Sequence, residues 1–218
     1  MYKKQALRRL TAIGVLFVQL SLGCLFLLLG GCVSLRPPAA DNHFAVRSPA
    51  ERQAQLMPLT AWTMEGAFSV QAPHQTPVIA SYRWQQQDLA NYRITLSALL
   101  NLGQLTFISK GGQVTLTGGN QRPVSASNAE SLMQQNLGWS IPVSQLAYWV
   151  RGLPSPDSPA VSQQFDSYGH LIALRQAGTQ LRWGSYHRYG TIDLPTVLWL
   201  TRPDLAAKLV IKNWHIAN

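Results

Sequence analysis

The chain has 218 residues, 46% of them hydrophobic, and 18 Lys and Arg stand against nine Asp and Glu, for a formal net charge of +9. That length is enough for one domain with a sizeable core. Away from the N-terminus the basic residues are scattered rather than gathered into a run, which excludes the usual footprint of a nucleic-acid-binding chain.

The first ten residues carry Lys3, Lys4, Arg8 and Arg9 and no acid, and residues 13–29 are apolar apart from Gln19, Ser21 and small residues. Basic, then apolar, then small is the layout of a signal peptide. The alternative is an N-terminal membrane helix, since the run approaches the ~20 residues that span a bilayer. The end of the run decides between them. Leu29-Gly30-Gly31-Cys32 resembles the lipobox of bacterial lipoproteins, an aliphatic residue and two small ones before Cys. The resemblance implies that residues 1–31 are removed and that Cys32 becomes the lipidated first residue, carrying acyl chains such as palmitate. Removal takes Cys24 with it, so no disulfide is expected. It also takes four basic residues and no acid, lowering the net charge from +9 to +5 and leaving 187 residues. Residues 33–42 (VSLRPPAADN) are Pro-rich, small and polar, and read as a tether. The expected organisation is a signal over 1–31, acylated Cys and tether over 32–45, and a folded domain over 46–218. Two acyl chains already anchor a protein stably. Val33, where Asp would retain the protein in the inner membrane of enteric bacteria, favours the outer membrane.

The folded part opens with a helical pattern over 46–59, with Ser48 and Pro49 as N-cap and first position and Glu51 in the first turn. Period-2 alternation follows. Residues 62–71 put Met64, Gly66, Phe68 and Val70 on one face. Residues 77–86 separate Val78, Ala80, Tyr82 and Trp84 from Ile79, Ser81 and Arg83. Residues 92–96 align Tyr92, Ile94 and Leu96; residues 103–109 carry Leu105 and Phe107, with them or opposite; residues 114–117 follow a Gly111-Gly112 turn. These are antiparallel hairpins. Then the period changes. Ser127-Asn128-Ala129-Glu130 reads as a capping box opening a helix with Leu132, Met133 and Leu137 on one face, ended by Gly138. A second helix is expected over 143–151, with Leu146, Trp149 and Val150 on a stripe, before Gly152 and Pro154. Strands resume over 161–167, 170–176, 180–187, 196–201 and 206–214. About eleven strands and three helices make a mainly β domain, a large antiparallel sheet with helices on one side. Such a sheet curls and, capped by two amphipathic helices, encloses a space. The aromatics Trp62, Phe68, Tyr82, Trp84, Tyr92, Phe107, Trp183, Tyr186, Trp199 and Trp214 either fill a core or line an apolar cavity; periodicity does not separate the two.

From Trp62 to Ile216 the chain resembles the LolB family of outer-membrane lipoproteins. The resemblance rests on Gly66-Ala67-Phe68, Tyr82-Arg83-Trp84, Tyr92-Arg93-Ile94-Thr95-Leu96, Leu102-Gly103 and Leu137-Gly138-Trp139-Ser140-Ile141-Pro142. Its most specific piece runs Leu146-Ala147-Tyr148-Trp149-Val150-Arg151-Gly152-Leu153-Pro154, and Leu194-Pro195 and Lys208-Leu209-Val210-Ile211-Lys212-Asn213-Trp214 complete it. It implies an unclosed antiparallel β-barrel of about eleven strands with a helical lid over a hydrophobic cavity. Phe68, Tyr82, Trp84, Ile94, Leu96 and Phe107 are then the candidate acyl-chain cavity, with Leu132, Met133, Leu146 and Trp149 toward the lid. It further implies a monomer at the periplasmic face of the outer membrane that receives cargo lipoproteins from the carrier LolA and delivers them to outer-membrane lipid. The family projects an aliphatic residue from a short Asn-Pro-hydrophobic-Gly loop. Here Leu102 precedes Gly103, the Pro is missing and the loop is extended, so Leu99, Leu100 and Leu102 form the candidate membrane-insertion loop. The alternative makes them strand residues buried on both faces.

No catalytic pattern competes. His43, His74, His170, His187 and His215 show no i, i+2 or i, i+4 metal pairing, and G-x-S-x-G, S-x-x-K, P-loop and H-E-x-x-H motifs are missing. Asp88, Asp157, Asp166 and Asp204 lie near predicted turns and read as solvated loop carboxylates. His170 and His187 could meet across neighbouring strands, but without a placed carboxylate they make a poor catalytic pair. Neither enzyme activity, cofactor nor metal is expected. The runner-up reading is a structural lipoprotein subunit of an outer-membrane assembly machine; a lipid-modifying enzyme comes third.

Overall fold

Strict alternation of apolar and polar residues builds most of the chain into one sheet. The computed structural model describes residues 44–98, 103–119 and 121–216. Cys32 and the Leu99, Leu100 and Leu102 loop lie outside them. The described residues all belong to one unit, Asn42–Asn218, which contains the whole core. Its strands are β1 (Trp62–Gln71), β2 (Val78–Gln86), β3 (Tyr92–Ala98), β4 (Gln104–Lys110), β5 (Gln113–Gly118), β6 (Gln121–Ala126), β7 (Ala160–Phe165), β8 (Leu171–Gln176), β9 (Thr179–Trp183), β10 (Tyr186–Tyr189), β11 (Ile192–Pro195), β12 (Val197–Arg202) and β13 (Leu205–Ile216). Eleven of them form an antiparallel sheet in the order β6-β5-β4-β3-β2-β1-β13-β12-β9-β8-β7. Its two edges, β6 and β7, do not pair with each other, so the barrel is open.

The register lines up the apolar side chains. Met64, Trp84, Ile94, Phe107 and Leu116 oppose one another across β1 to β5 and are all buried. Leu105 and Phe107 therefore share the face of Tyr92, Ile94 and Leu96. Ile79, Ser81 and Arg83 point the other way and are exposed.

Three features differ from the expectation. β6 was not foreseen, because QRPVSA contains Pro123 and little alternation; an edge strand tolerates both. The single strand expected over 180–187 breaks at Gly184-Ser185, and β10 leaves the sheet to pair with the unforeseen β11. The N-cap of the 129–137 helix is Asn128, whose Oδ1 accepts from Ser131 N at 2.8 Å, so Ser127 caps nothing.

The first helix, α1 (Pro49–Leu56), is shorter than 46–59. Its capping box is complete: Glu51 N donates to Ser48 Oγ at 3.2 Å, and Ser48 N donates to Glu51 Oε2 at 2.7 Å. A buried ionic cluster fastens α1 to the β10–β11 ribbon. Asp193 accepts from Arg52 Nη1 at 2.7 Å and Arg188 Nε at 3.0 Å, and His170 Nε2 lies 3.2 Å away. The other ring nitrogen of His170 is 2.9 Å from Asp166, and Tyr186 stacks on the imidazole at 4.2 Å. His170 thus meets two carboxylates rather than His187, and Asp166 is a partner rather than a solvated loop acid.

Burial works to raise the Asp193 pKa, but hydrogen bonds from Arg188, Arg52 and His170 outweigh it and hold the carboxyl below its ordinary range. Asp166 is lowered in the same sense, burial opposing and His170 bonds prevailing. A depressed folded pKa gives stability that is complete above the ordinary value of about 3.9 and lost as pH falls through the folded one. Denaturation followed against pH is therefore expected to show stability dropping below about pH 4. Asp193→Asn is expected to flatten that dependence and to cost about 3–5 kcal/mol at neutral pH, because it leaves buried Arg52 uncompensated.

Candidate functional site

The inward rows of β1, β2, β3 and β13 form an apolar trough. Two helices roof it, α2 (Ala129–Leu137) and α3 (Val143–Trp149). Between trough and roof lies a cavity of about 50 Å³. Met64, Phe68, Tyr82, Trp84, Ile94, Leu96 and Leu209 line it from the strands, and Met133, Trp139, Ile141, Val143 and Leu146 from the roof. Phe68 meets the Trp139 ring edge-on at 6.3 Å, joining wall to roof.

Tyr82 is the one titratable side chain in this lining. Burial pushes its hydroxyl far up, so it stays neutral. Its hydroxyl donates to Val210 O at 3.4 Å beside Gly66, opposite the point where β13 bulges at Lys212. A Cβ at Gly66 would sit 1.9 Å from the Val210 carbonyl, so glycine is required there. The cavity therefore offers no acid, base or metal ligand. Among the described residues no group of three or more His, Cys, Asp or Glu is placed to hold a metal ion.

The roof is held by a few polar bonds. The N-terminus of α3 has no side-chain cap of its own; instead Val143 N donates to Glu130 Oε1 at 2.6 Å, linking the two helices. The linker between them is tied at each flank. Gln75 Nε2 donates to Gly138 O at 3.2 Å, and Arg202 Nη2 donates to Ser140 O at 2.9 Å.

The far end of α3 is built differently. Trp149 is wholly buried, its indole N–H donates to Gln176 Oε1 at 2.9 Å, and its carbonyl accepts from Trp183 Nε1 at 2.9 Å. Arg151, only 2% exposed, donates to the carbonyls of Ala147 (2.9 Å), Leu56 (3.1 Å) and Leu59 (2.6 Å) and packs over the Tyr148 ring. Burial lowers its pKa to about 10. At Gly152, with φ +77°, a Cβ would meet the Tyr186 hydroxyl at 2.7 Å. The Trp149-Val150-Arg151-Gly152 run is thus a rigid mounting for the roof.

Of the ten expected cavity and lid residues, Phe68, Tyr82, Trp84, Ile94, Leu96, Met133 and Leu146 come together around the cavity. Phe107, Leu132 and Trp149 do not line it; they are fully buried in the core around it. Trp149 reaches β8 and β9 rather than the cavity mouth. The sequence reading missed Met64, Trp139, Ile141, Val143 and Leu209. Met64 shares the face of Phe68, a usable signal. Trp139 and Ile141 lie in an irregular linker where no period marks an inward face.

Fold and site together define an open, lidded β half-barrel with an apolar interior. The family profile described as "Outer membrane lipoprotein LolB" matches residues 60–214. The outer-membrane lipoprotein LolB of Coxiella burnetii (strain RSA 493 / Nine Mile phase I) is 41% identical over 190 residues, covering 87% of this chain and 89% of that one. That of Cellvibrio japonicus (strain Ueda107) is 34% identical over 194 residues, covering 85% and 90%. The chain belongs to the LolB family. Among solved structures, a LolA superfamily protein of Nitrosomonas europaea aligns with a TM-score of 0.49 at 9% identity, covering 77% of this chain and 94% of that one.

Two substitutions test the mounting. Trp149→Ala is expected to cost about 3–5 kcal/mol in denaturant unfolding, as truncation of a fully buried aromatic. Arg151→Leu is expected to cost about 2–4 kcal/mol, because it strands carbonyls that Arg151 now satisfies.

Proposed function

We propose that this chain accepts lipoproteins from the periplasmic carrier LolA, holds their acyl chains in the lidded cavity, and inserts them into the inner leaflet of the outer membrane. The observation that carries the reading is the cavity itself, an apolar space under a roof fastened by few polar bonds. An acyl chain in water is unfavourable by about 0.8 kcal/mol per CH₂, so it moves only between holders that shield it. A receiver whose cavity fits slightly better draws cargo forward without covalent chemistry, and the lipid is the shared handle for different cargo proteins. In this reading residues 1–31 are the signal, Cys32 bears the anchor facing the periplasm, residues 32–45 are the tether, and Leu99, Leu100 and Leu102 are the tip that meets the bilayer.

About 50 Å³ is room for a few water molecules, short of an acyl chain. Loading therefore requires the roof to lift. The bonds of Gln75 and Arg202 to the linker are the ones broken, each worth about 0.5–1.5 kcal/mol, while the Glu130 bond joins the two helices and moves with them. The apolar surface uncovered is covered again by the acyl chain. Trp149 and Arg151 stay fixed and act as the hinge side.

The test is a two-stage assay with purified carrier, the chain starting at Val33, and liposomes, alongside uptake of a fluorescent fatty acid. Met133→Asp is expected to lower uptake several-fold while the protein stays folded. Leu102→Glu is expected to accept fatty acid and carrier-borne lipoprotein normally and to release it poorly into liposomes. A parent chain that takes up no fatty acid would falsify the acyl-cavity reading, and normal release by Leu102→Glu removes the tip from the mechanism. In cells, Cys32→Ala is expected to yield a product that takes up no palmitate label.

A further inference from the structure

The alternation that points Phe68, Tyr82 and Trp84 inward points a second set of side chains outward. Across the seven consecutive strands β3-β2-β1-β13-β12-β9-β8 the outward face carries Arg83, Arg93, Arg175, Arg182, Lys208 and Lys212, all exposed, and one acid, Glu65. The described residues hold thirteen Lys and Arg and eight Asp and Glu. Removing this face from the count leaves seven of each, so the entire excess positive charge of the described residues sits here.

Two large apolar side chains interrupt the charge, and they share one row. Cross-strand pairing runs Arg182, Trp199, Lys208, Ser69, Ile79. Trp199 is 37% exposed and Ile79 53% exposed. Lys208 Nζ lies over the Trp199 ring at 5.4 Å. Beside this row the face is dented where β13 bulges opposite Gly66, and a groove of about 280 Å³ lies there between Lys212 and the Arg83–Glu65 ion pair, whose charges are 2.8 Å apart. Ser81, Ser97 and Asn213 add polar groups to it.

We infer that this outer sheet face docks on a bilayer surface bearing anionic phospholipid headgroups. The charge is complementary, and basic residues near such a surface are each attracted to it. Trp with flanking cations is the combination that settles at the headgroup level, ring in the apolar margin and charge in the phosphates. The groove is of a size to seat a headgroup against Lys212, with Arg83 shared with Glu65. The row also lies toward the end of the sheet where β3 finishes, since Ala98 pairs with Ala80, next to Ile79. Docking here would bring that strand end to the membrane. The inference rests on the lipid-anchor reading for its choice of partner: twelve residues from Cys32 to Phe44 reach at most about 40 Å, keeping this face near a bilayer throughout.

The experiment uses the chain starting at Val33, whose described core is self-contained, and sedimentation with two vesicle types. One is phosphatidylethanolamine alone; the other adds phosphatidylglycerol. Binding is expected only to the second and is expected to weaken as salt is raised. Each exposed cation removed should weaken partitioning about fivefold, so Lys208→Gln with Lys212→Gln should weaken it on the order of 25-fold. Both positions are exposed, and unchanged thermal unfolding of the variant checks that the fold persists. Equal binding to both vesicle types overturns the docking, as does parental binding by the double variant. Slower handover from the carrier without vesicles, with membrane binding unchanged, overturns it in favour of an acidic protein partner. Fatty-acid uptake, read on the same samples, keeps this apart from the proposed function. Uptake without anionic binding sinks only the docking, and anionic binding without uptake sinks only the acyl-cavity reading.

Discussion

An eleven-stranded antiparallel sheet cannot stay flat, and the pairing of β1 with β13 governs how this one curls. The two are the longest of the described strands, and they join β1–β6 to the C-terminal strands across the greatest sequence separation among them. The pair carries a bulge at Lys212 of β13, opposite Glu65 and Gly66, and a bulge sharpens the local twist. Gly66 is the residue that permits this, since the Val210 carbonyl fills the space a side chain would take.

A trough made this way has a cost that the rest of the chain offsets. A sheet with two open edges and an apolar concave face exposes surface that must be covered. The two roof helices cover it, and they are mounted asymmetrically. On one side Trp149 and Arg151 bind the end of α3 to β8, β9 and the end of α1 through buried hydrogen bonds. On the other, Gln75 and Arg202 hold the linker through single exposed or part-buried bonds. Buried bonds are expensive to break because nothing replaces them, while water replaces exposed ones. The strength of the mounting and the weakness of the latch come from the same physics, and together they define which edge can lift.

Where one periodicity governed a segment, the sequence was readable. β1 and β2 were located within a residue, and the inward faces of β1 to β3 followed from alternation, while that of β4 stayed open. Five cavity residues, Phe68, Tyr82, Trp84, Ile94 and Leu96, came with the strand faces, and Met133 and Leu146 with the helical stripes. Failures fall where local signals conflict with tertiary demands. β6 is polar and contains Pro123, yet Val114 and Leu116 need a partner strand. Residues 180–183 alternate, but the phase is lost at Gly184-Ser185, where Gly184, packed under the Trp199 ring, lets the chain leave the sheet. Ser127 and Glu130 have capping-box spacing, but Glu130 is taken by Val143 on the next helix. Trp139 and Ile141 line the cavity from irregular backbone, where no period assigns a face. The partners of Asp193 are 5, 23 and 141 residues away in sequence, a distance that local reading does not cross.

The charge distribution was the least legible feature, and the reason is geometric. In the chain the cations are scattered, and scatter reads as an ordinary solvated surface. Strand pairing converts spacing along the chain into rows across the sheet, about 4.8 Å apart, so Arg182 and Lys208, 26 positions apart, come to flank one tryptophan. The same pairing sets apolar rows on the opposite face. Interior and exterior are therefore not independent designs. A slip of one residue in the β1, β2 or β13 register would put Arg83 and Lys208 into the trough and Phe68 and Trp84 into water. Burying those charges unpaired costs far more than any gain in fit. That penalty fixes the register, and the register in turn keeps an apolar interior and a basic exterior on the two sides of a single layer.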